Sequence, residues 1–331
     1  MPTPLENELF LGIDVGGTNV KLGIVDAGGN LHARDSTATP PLKTPARIFE
    51  YAMEFASTRL SEMGRSADLA AAGLAVPGVL DINEFVLREV VNLPGWMDQP
   101  LLKILQDTSC LPSAVVNDAN AAAYAEHSRR KLGKQSLALV TLGTGIGCGI
   151  VAQGKPYSGD HGCAGELGHI AIRFGSDAKP CTCGSRGHLE SYAGSSGVVT
   201  CLREAIQQVD QSKVPACLLS DEVSPRDIAE QAENGNEVCQ SVIDQTAQYV
   251  GQAIGLLGQA LDPAVVLLGG AMTFGGRETK SGQRFLDGVR VSVKETTLVQ
   301  VGGNVLIDFA TLGNDAGVLG AAMVAKQVLI K

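Results

Sequence analysis

Apolar and polar positions alternate from the first strand-like segment onward. The stretch LFLGIDVGGTNVKLGIVDAGGNLHARDSTAT, beginning at Leu9, reads as strand, glycine turn, strand, glycine turn, strand, with alternation through Val20, Leu22 and Ile24. A helix is predicted over PARIFEYAMEFASTRLSEMG, because Pro45 stands near its start and Gly64 just past its end. LAAAGLAVPG is a strand, followed by an irregular stretch ending in VVNLPGWMDQP. After a short helix, SAVVND is a strand running straight into the alanine-rich helix ANAAAYAEHSRRKL. SLALVTLGTGIGCGIVAQGKP then repeats strand, glycine turn and strand. Beyond it come a cysteine-bearing loop and mostly helix from about Gly197 to Leu261. The buried strand AVVLLGGAM, the strand NVLIDFAT and the apolar helix AGVLGAAMVAKQVL complete the pattern.

Strands alternating with helices define an α/β protein. Setting Asp14 against Thr141 brings Gly16 onto Gly143, Gly17 onto Thr144 and Thr18 onto Gly145. Two such hairpins in one chain point to two similar α/β halves, each offering a phosphate-facing turn. The expected division is residues 1–117 and 118–316, with the closing helix 317–331 packing back on the first domain. No low-complexity linker separates the halves, so they are expected to meet across a cleft.

Composition changes this picture in three ways. The 331 residues are enough for two domains with their own cores. The net charge is −9, and no basic cluster is longer than Arg129, Arg130 and Lys131, so nucleic acid is not an expected partner. The stretch MPTPLENELFLGID has no basic start followed by an apolar run, and no apolar run of about 18 residues occurs, so neither a signal peptide nor a membrane span is expected. Eight cysteines without an export signal are then expected to be reduced thiols in the cytoplasm.

Candidate chemistry sits at the turns. In DVGGTNVK the backbone N–H groups of Gly16 and Gly17 can converge on phosphate oxygens, with Thr18 adding a hydroxyl and Lys21 a positive charge. Asp14 can hold magnesium through water. An ordinary hairpin turn is the other local reading. The second turn, LGTGIGCG, contains a run like a dinucleotide fingerprint, but a strand follows where that fingerprint needs a helix. A pair of such turns favours a nucleoside triphosphate over NAD. In VVNDANAAAYAE, Asp118 stands where strand becomes helix. It can cap the helix, or it can accept a hydroxyl proton in the ligand crevice at the strand's C-terminal end.

The stretch AGELGHIAIRFGSDAKPCTCGSRGHLESYAG holds Cys181 and Cys183, too close in sequence for an easy disulfide. With His169 and His188 they make four N/S donors for a zinc ion, a closed and therefore structural site. Glu166 and Glu190 flank the loop, where they are either sugar-hydroxyl partners or solvated surface carboxylates.

Taken together, LGIDVGGTNVKLGIVD, VVNDANAAAYAE, LVTLGTGIGCGIV, AGELGHI, CTCGSRGHLE and LLGGA resemble, in order and rough spacing, the ROK family of sugar kinases and repressors. The resemblance covers nearly the whole chain. It implies an actin-like or hexokinase-like fold whose two α/β domains close over ATP and a hexose. By motif, Asp118 corresponds to the general base, with Asn117 beside it binding sugar. Glu166, His169 and Glu190 match sugar-binding positions, and Asn92 and Gly78 fall where further sugar contacts are expected. Gly16, Gly17, Thr18, Thr144 and Gly145 match the phosphate loops, Gly269 and Gly270 the adenosine-side turn, and Asp14 a magnesium-positioning carboxylate. The zinc motif usually ends in cysteine where this chain has His188. A His169, Cys181, Cys183, His188 site is the preferred reading, with Cys163 the alternative fourth ligand and loss of tight zinc binding the third reading. The resemblance thus implies ATP, magnesium and structural zinc, a 6-phosphorylating kinase for glucose, and a dimer or tetramer. Kinases for N-acetylglucosamine or N-acetylmannosamine come next, then fructose or allose. A sugar-responsive repressor is not expected, since the first glycine turn arrives at Gly16, too early for a preceding helix-turn-helix.

Overall fold

The computed structural model describes residues 7–39, 42, 44–65, 69–90, 93, 95–210, 212 and 214–330. The opening segment forms β1 (Leu9–Val15), β2 (Asn19–Asp26) and β3 (Leu31–Ala38). Helix α1 (Pro45–Glu62) follows, with the Thr44 side chain accepting the Arg47 N–H and Pro45 in its first turn. Next come β4 (Leu69–Val76), a short hairpin β5 (Val79–Asp81) and β6 (Val86–Glu89), α2 (Leu101–Ser109), β7 (Ser113–Asn117) and α3 (Asp118–Arg129). The remainder begins with β8 (Leu137–Leu142), β9 (Ile146–Ala152) and β10 (Lys155–Pro156). Helices α4 (Glu190–Ala193), α5 (Ser195–Ile206), α6 (Pro225–Glu233) and α7 (Glu237–Leu261) precede β11 (Val265–Gly269). The chain then runs through α8 (Lys280–Thr296), α9 (Val299–Gly302), β12 (Leu306–Phe309) and α10 (Ala316–Val328).

Two five-stranded sheets share one topology. The first runs β3-β2-β1-β4-β7 and the second β10-β9-β8-β11-β12, so each has the order third, second, first, fourth, fifth. In the first, β1 pairs β2 antiparallel and β4 parallel. In the second, β11 lies parallel to both β8 and β12. The glycine turns fall at matching places, Gly16–Thr18 between β1 and β2 and Gly143–Gly145 between β8 and β9. They close differently: the Gly16 N–H donates to the Asn19 carbonyl and the Gly143 N–H to that of Gly145.

Two differences from the sequence reading have physical causes. The segment expected to be irregular contains the β5–β6 hairpin, which is too short to show a period. The sequence pattern assigns no element between residues 270 and 300, where α8 fills most of the span. Gly282 and Gly288 lower its intrinsic propensity, and packing of Phe285, Leu286, Val289 and Val293 compensates. A side chain at Gly282 would overlap the backbone of Gly276, so the glycine is needed there.

The chain divides into two compact units. One comprises residues 1–135, 149–165 and 312–331, and the other residues 136–148 and 166–311. The expected division between 117 and 118 falls inside the first unit, because α3 packs along α10. Helix α10 in turn lies against β1 and β4 with backbone on backbone. A Cβ at Gly12 would overlap the carbonyl oxygen of Val318, and one at Gly73 that of Ala321. Gly320 meets the Ala121 carbonyl of α3 in the same way. These contacts bring helix and sheet closer than any side chain allows.

Because the obstacle is backbone, Gly73→Ala is expected to destabilise the protein by about 2–3 kcal/mol. Gly64→Ala has nothing within 4 Å and only its φ of +69° to resist it, so about 1 kcal/mol is expected. Urea unfolding of the two variants checks the ranking, and equal midpoints would contradict it.

Candidate active site

In the first unit, Asp14 stands near the end of β1 in register with Lys21 of β2, and the two form an ion pair of 3.6 Å. Lys21 also donates to the Asn314 carbonyl at 3.2 Å. The absence of a Cβ at Gly317 makes room for the carboxylate, since one there would lie 2.5 Å from Oδ2. Burial raises the Asp14 pKa, and the Lys21 charge opposes that rise without cancelling it. The adjoining turn is stapled by Thr39, whose hydroxyl donates to the Gly16 carbonyl at 2.6 Å and whose N–H donates to that of Thr18 at 2.8 Å.

At the β7–α3 junction it is Asn117 that caps the helix. Its side-chain oxygen accepts the N–H groups of Ala119 (3.0 Å) and Asn120 (3.2 Å), while its amide donates to the Gly78 carbonyl at 3.1 Å. Gly78 has φ +88°, and a Cβ there would overlap the Glu89 carbonyl. Asp118 is the first residue of α3, half-buried, with Oδ1 accepting the Ala119 N–H at 2.8 Å. Asn92 lies outside the described residues.

In the second unit the donor atoms of His169, Cys181, Cys183 and His188 all lie within 4.8 Å of one another. Cys181 Sγ is 3.7 Å from His169 Nδ1, and Cys183 Sγ is 3.2 Å from His188 Nδ1. The N···S edge of a tetrahedral zinc site is about 3.5 Å, so the cluster has the size and donor chemistry for that ion. Cys163 instead approaches the carbonyl of its neighbour His161 at 3.4 Å. His169 closes a short 3-10 turn, Leu167–His169, that begins after Glu166. That turn rests on Ile146, whose carbonyl a Cβ at Gly168 would overlap. The Ile146 N–H donates to Glu190 Oε2 at 2.9 Å, and Thr182 donates to Oε1 at 3.4 Å. One residue just past the glycine turn is therefore held by both flanking motifs. Behind it, burial pushes the Cys148 thiol up to about 12, with the Glu166 charge adding, so it stays protonated.

Beside Thr144 the same unit holds a cavity of about 740 Å³, lined among others by Ser195, Arg226, Glu230, Glu233 and Phe274. Ser195 N–H donates to the Gly143 carbonyl at 3.1 Å. Gly269 ends β11, and Gly270, at φ +90°, packs onto the Leu142 backbone so that Ala271 and Met272 form part of the wall. The carboxylate of Glu233 accepts the N–H groups of Ser281 and Lys280 and the Ser281 hydroxyl, which hold its pKa below the usual range. Sequence reasoning missed these lining residues. The Ser224-Pro225 pair with Asp227 marks the start of α6, where a capping box forms, but nothing local marks α6 as a cavity wall.

Two α/β units with one shared strand order, each opening on a glycine-turn hairpin, define the class: the actin-like, hexokinase-like fold of sugar kinases. The chain belongs to the ROK family, which it matches over residues 10–328. It is similar to a glucokinase of Halalkalibacterium halodurans, 32% identical over 326 residues that cover 98% of this chain and 96% of that protein. The ROK hexokinase from Thermus thermophilus superposes with a TM-score of 0.76 at 31% identity, covering 97% of this chain and 99% of the other. A ROK family glucokinase from Streptomyces griseus, in complex with glucose and AMPPNP, gives a TM-score of 0.70 at 28% identity, covering 96% and 99%.

The raised pKa of Asp14 carries a sign. Between the unfolded value of 3.8 and the higher native one, the native state binds more protons than the unfolded state, so stability falls as pH rises through that window. Asp14→Asn is therefore expected to melt above the wild type at pH 7, with the gap narrowing towards pH 4. Thermal unfolding across that range checks it, and a variant less stable at pH 7 would contradict the assignment.

Proposed function

We propose that this protein transfers the γ-phosphoryl group of ATP to the 6-hydroxyl of a hexose, with glucose the preferred sugar. The observation that carries the reading is the division of labour at the start of α3. Asn117 accepts two N–H groups of the first turn, and the Asp118 carboxylate, whose Oδ1 shares the Ala119 N–H, stands beside it at the C-terminal end of a parallel strand. Similarity to a glucokinase over nearly the full length of both chains supports the substrate class.

In this reading Asp118 accepts the proton of the sugar 6-hydroxyl as that oxygen attacks the γ-phosphorus and the bond to the ADP oxygen breaks. Asn117 and the Gly78 turn orient the sugar, and Asn92 is assigned there by motif. Glu166, His169 and Glu190 take the remaining hydroxyls. Asp14 would hold magnesium through water, and magnesium would neutralise phosphate charge. Gly16, Gly17, Thr18 and Lys21 in one unit, and Thr144 and Gly145 in the other, receive phosphate oxygens. The cavity beside Thr144, with the Gly269–Gly270 turn behind it, takes the nucleoside. Zinc on His169, Cys181, Cys183 and His188 would have no open position, so it would hold the loop and supply no nucleophile. With Nδ1 of His169 turned to Cys181, its Nε2 is left for the sugar.

Asp118→Asn is expected to lower kcat by about 10²–10⁴ while the sugar still binds, as calorimetry would register. Near-normal turnover would remove Asp118 from this role. Dialysis against a strong chelator is expected to release about one zinc per chain and raise the KM for sugar roughly tenfold. Metal content by mass spectrometry, read beside kinetics before and after zinc is restored, tests this. Metal-free protein of unchanged KM would contradict it.

A further inference from the structure

Resting on the kinase reading above, we propose that Glu190 interlocks the two substrate sites: its carboxylate rests against the phosphate turn, and a sugar hydroxyl draws it off. The geometry lies wholly within the second unit. Oε2 of Glu190 accepts the N–H of Ile146, the first residue after the Gly143–Gly145 turn, at 2.9 Å. It is packed on the turn itself, since a Cβ at Gly145 would lie only 2.5 Å from the same oxygen. Gly194 confines the side chain from the other direction: a Cβ there would lie 3.2 Å from both Glu190 Cγ and the Thr144 carbonyl. The carboxylate thus sits one residue from Thr144, which lines the large cavity.

The consequence is electrostatic. The Thr144 and Gly145 N–H groups have no partner among the described residues and are the donors left for phosphate. An anion bound to them would sit beside an ionised carboxylate, and like charges at that range in a partly desolvated site oppose each other strongly. Glu190 carries a second acceptor, Oε1, which among the described residues takes the long 3.4 Å bond from Thr182. A sugar hydroxyl donating to this carboxylate competes with Ile146 for it and favours the arrangement in which the charge has left the turn. Sugar and nucleotide then strengthen each other's binding by the same factor, because coupling is reciprocal. A protein without sugar keeps its nucleotide site weak, which restrains hydrolysis of ATP by water.

Glu190→Gln tests this by keeping an oxygen for the Ile146 N–H while removing the charge. Calorimetry with magnesium AMPPNP is run on wild type and variant, each without and with saturating glucose. The sugar-free variant is expected to bind the nucleotide about tenfold more tightly than sugar-free wild type. Glucose should tighten nucleotide binding in the wild type and add little in the variant. The sugar-free affinity is decisive, because a lost sugar contact cannot move it. Glu190→Ala should shift it in the same direction, and matched thermal unfolding excludes a misfolded protein. If the wild type turns glucose over normally but neither variant gains nucleotide affinity, the interlock is overturned and the kinase reading stands. If the wild type neither binds the nucleotide nor turns over sugar, both are overturned.

Discussion

Helix backbone rests directly on sheet backbone at three glycines of the first unit, and the positions of its charged groups follow from that closeness. Gly12 and Gly73 meet carbonyl oxygens of α10, and Gly149 on β9 meets that of Ala119 in α3. With α10 seated so low, Gly317 comes against the Asp14 carboxylate and the Asn314 carbonyl comes within reach of Lys21. With α3 seated on β9, its first turn and Asp118 are set at the end of β7. A methyl group at any of the three would lift a helix and displace the carboxylate it positions. Packing and chemistry in this unit are therefore one constraint.

Polar groups in both units are placed where stability alone would not put them. Asp14 is held in a burial that favours its neutral form, and Lys21 offsets the penalty only in part. In the second unit, Ile146 gives its N–H to Glu190 and its carbonyl side to Gly168, so two separate loops are registered against one point of the glycine turn. The Cys/His cluster adds a third restraint at the far end of the same loop. Such over-determination holds polar groups in positions that a relaxed loop would abandon.

Much of this was legible because it is local. The strand–turn–strand segments, the Pro45 start of α1 and the strand-to-helix step at Asp118 need only neighbouring residues to recognise. The donor set of His169, Cys181, Cys183 and His188 spans 20 residues of one loop, counted from 169 to 188, and was readable for that reason. What was not legible depends on distant partners. Helix α8 contains two glycines and is stabilised against α7. The Glu190–Ile146 bond joins residues 44 apart. The cavity wall from α6 and Phe274 forms only when four separate segments meet. The cap of α3 also depends on a distant partner, because Asn117 and Asp118 are equally good caps in a sequence and only the fold turns Asn117 inward to Gly78.

The central claim is that the assembled groups move a phosphoryl group from ATP to a hexose. The most direct measurement is ADP release from magnesium ATP with glucose, N-acetylglucosamine, N-acetylmannosamine, fructose and allose run in parallel on zinc-loaded, folded protein. Turnover that depends on added sugar and is strongest with glucose is the result this account requires. Strongest turnover with another sugar would keep the kinase and correct the substrate, whereas no sugar-dependent ADP release from any of the five would contradict the account.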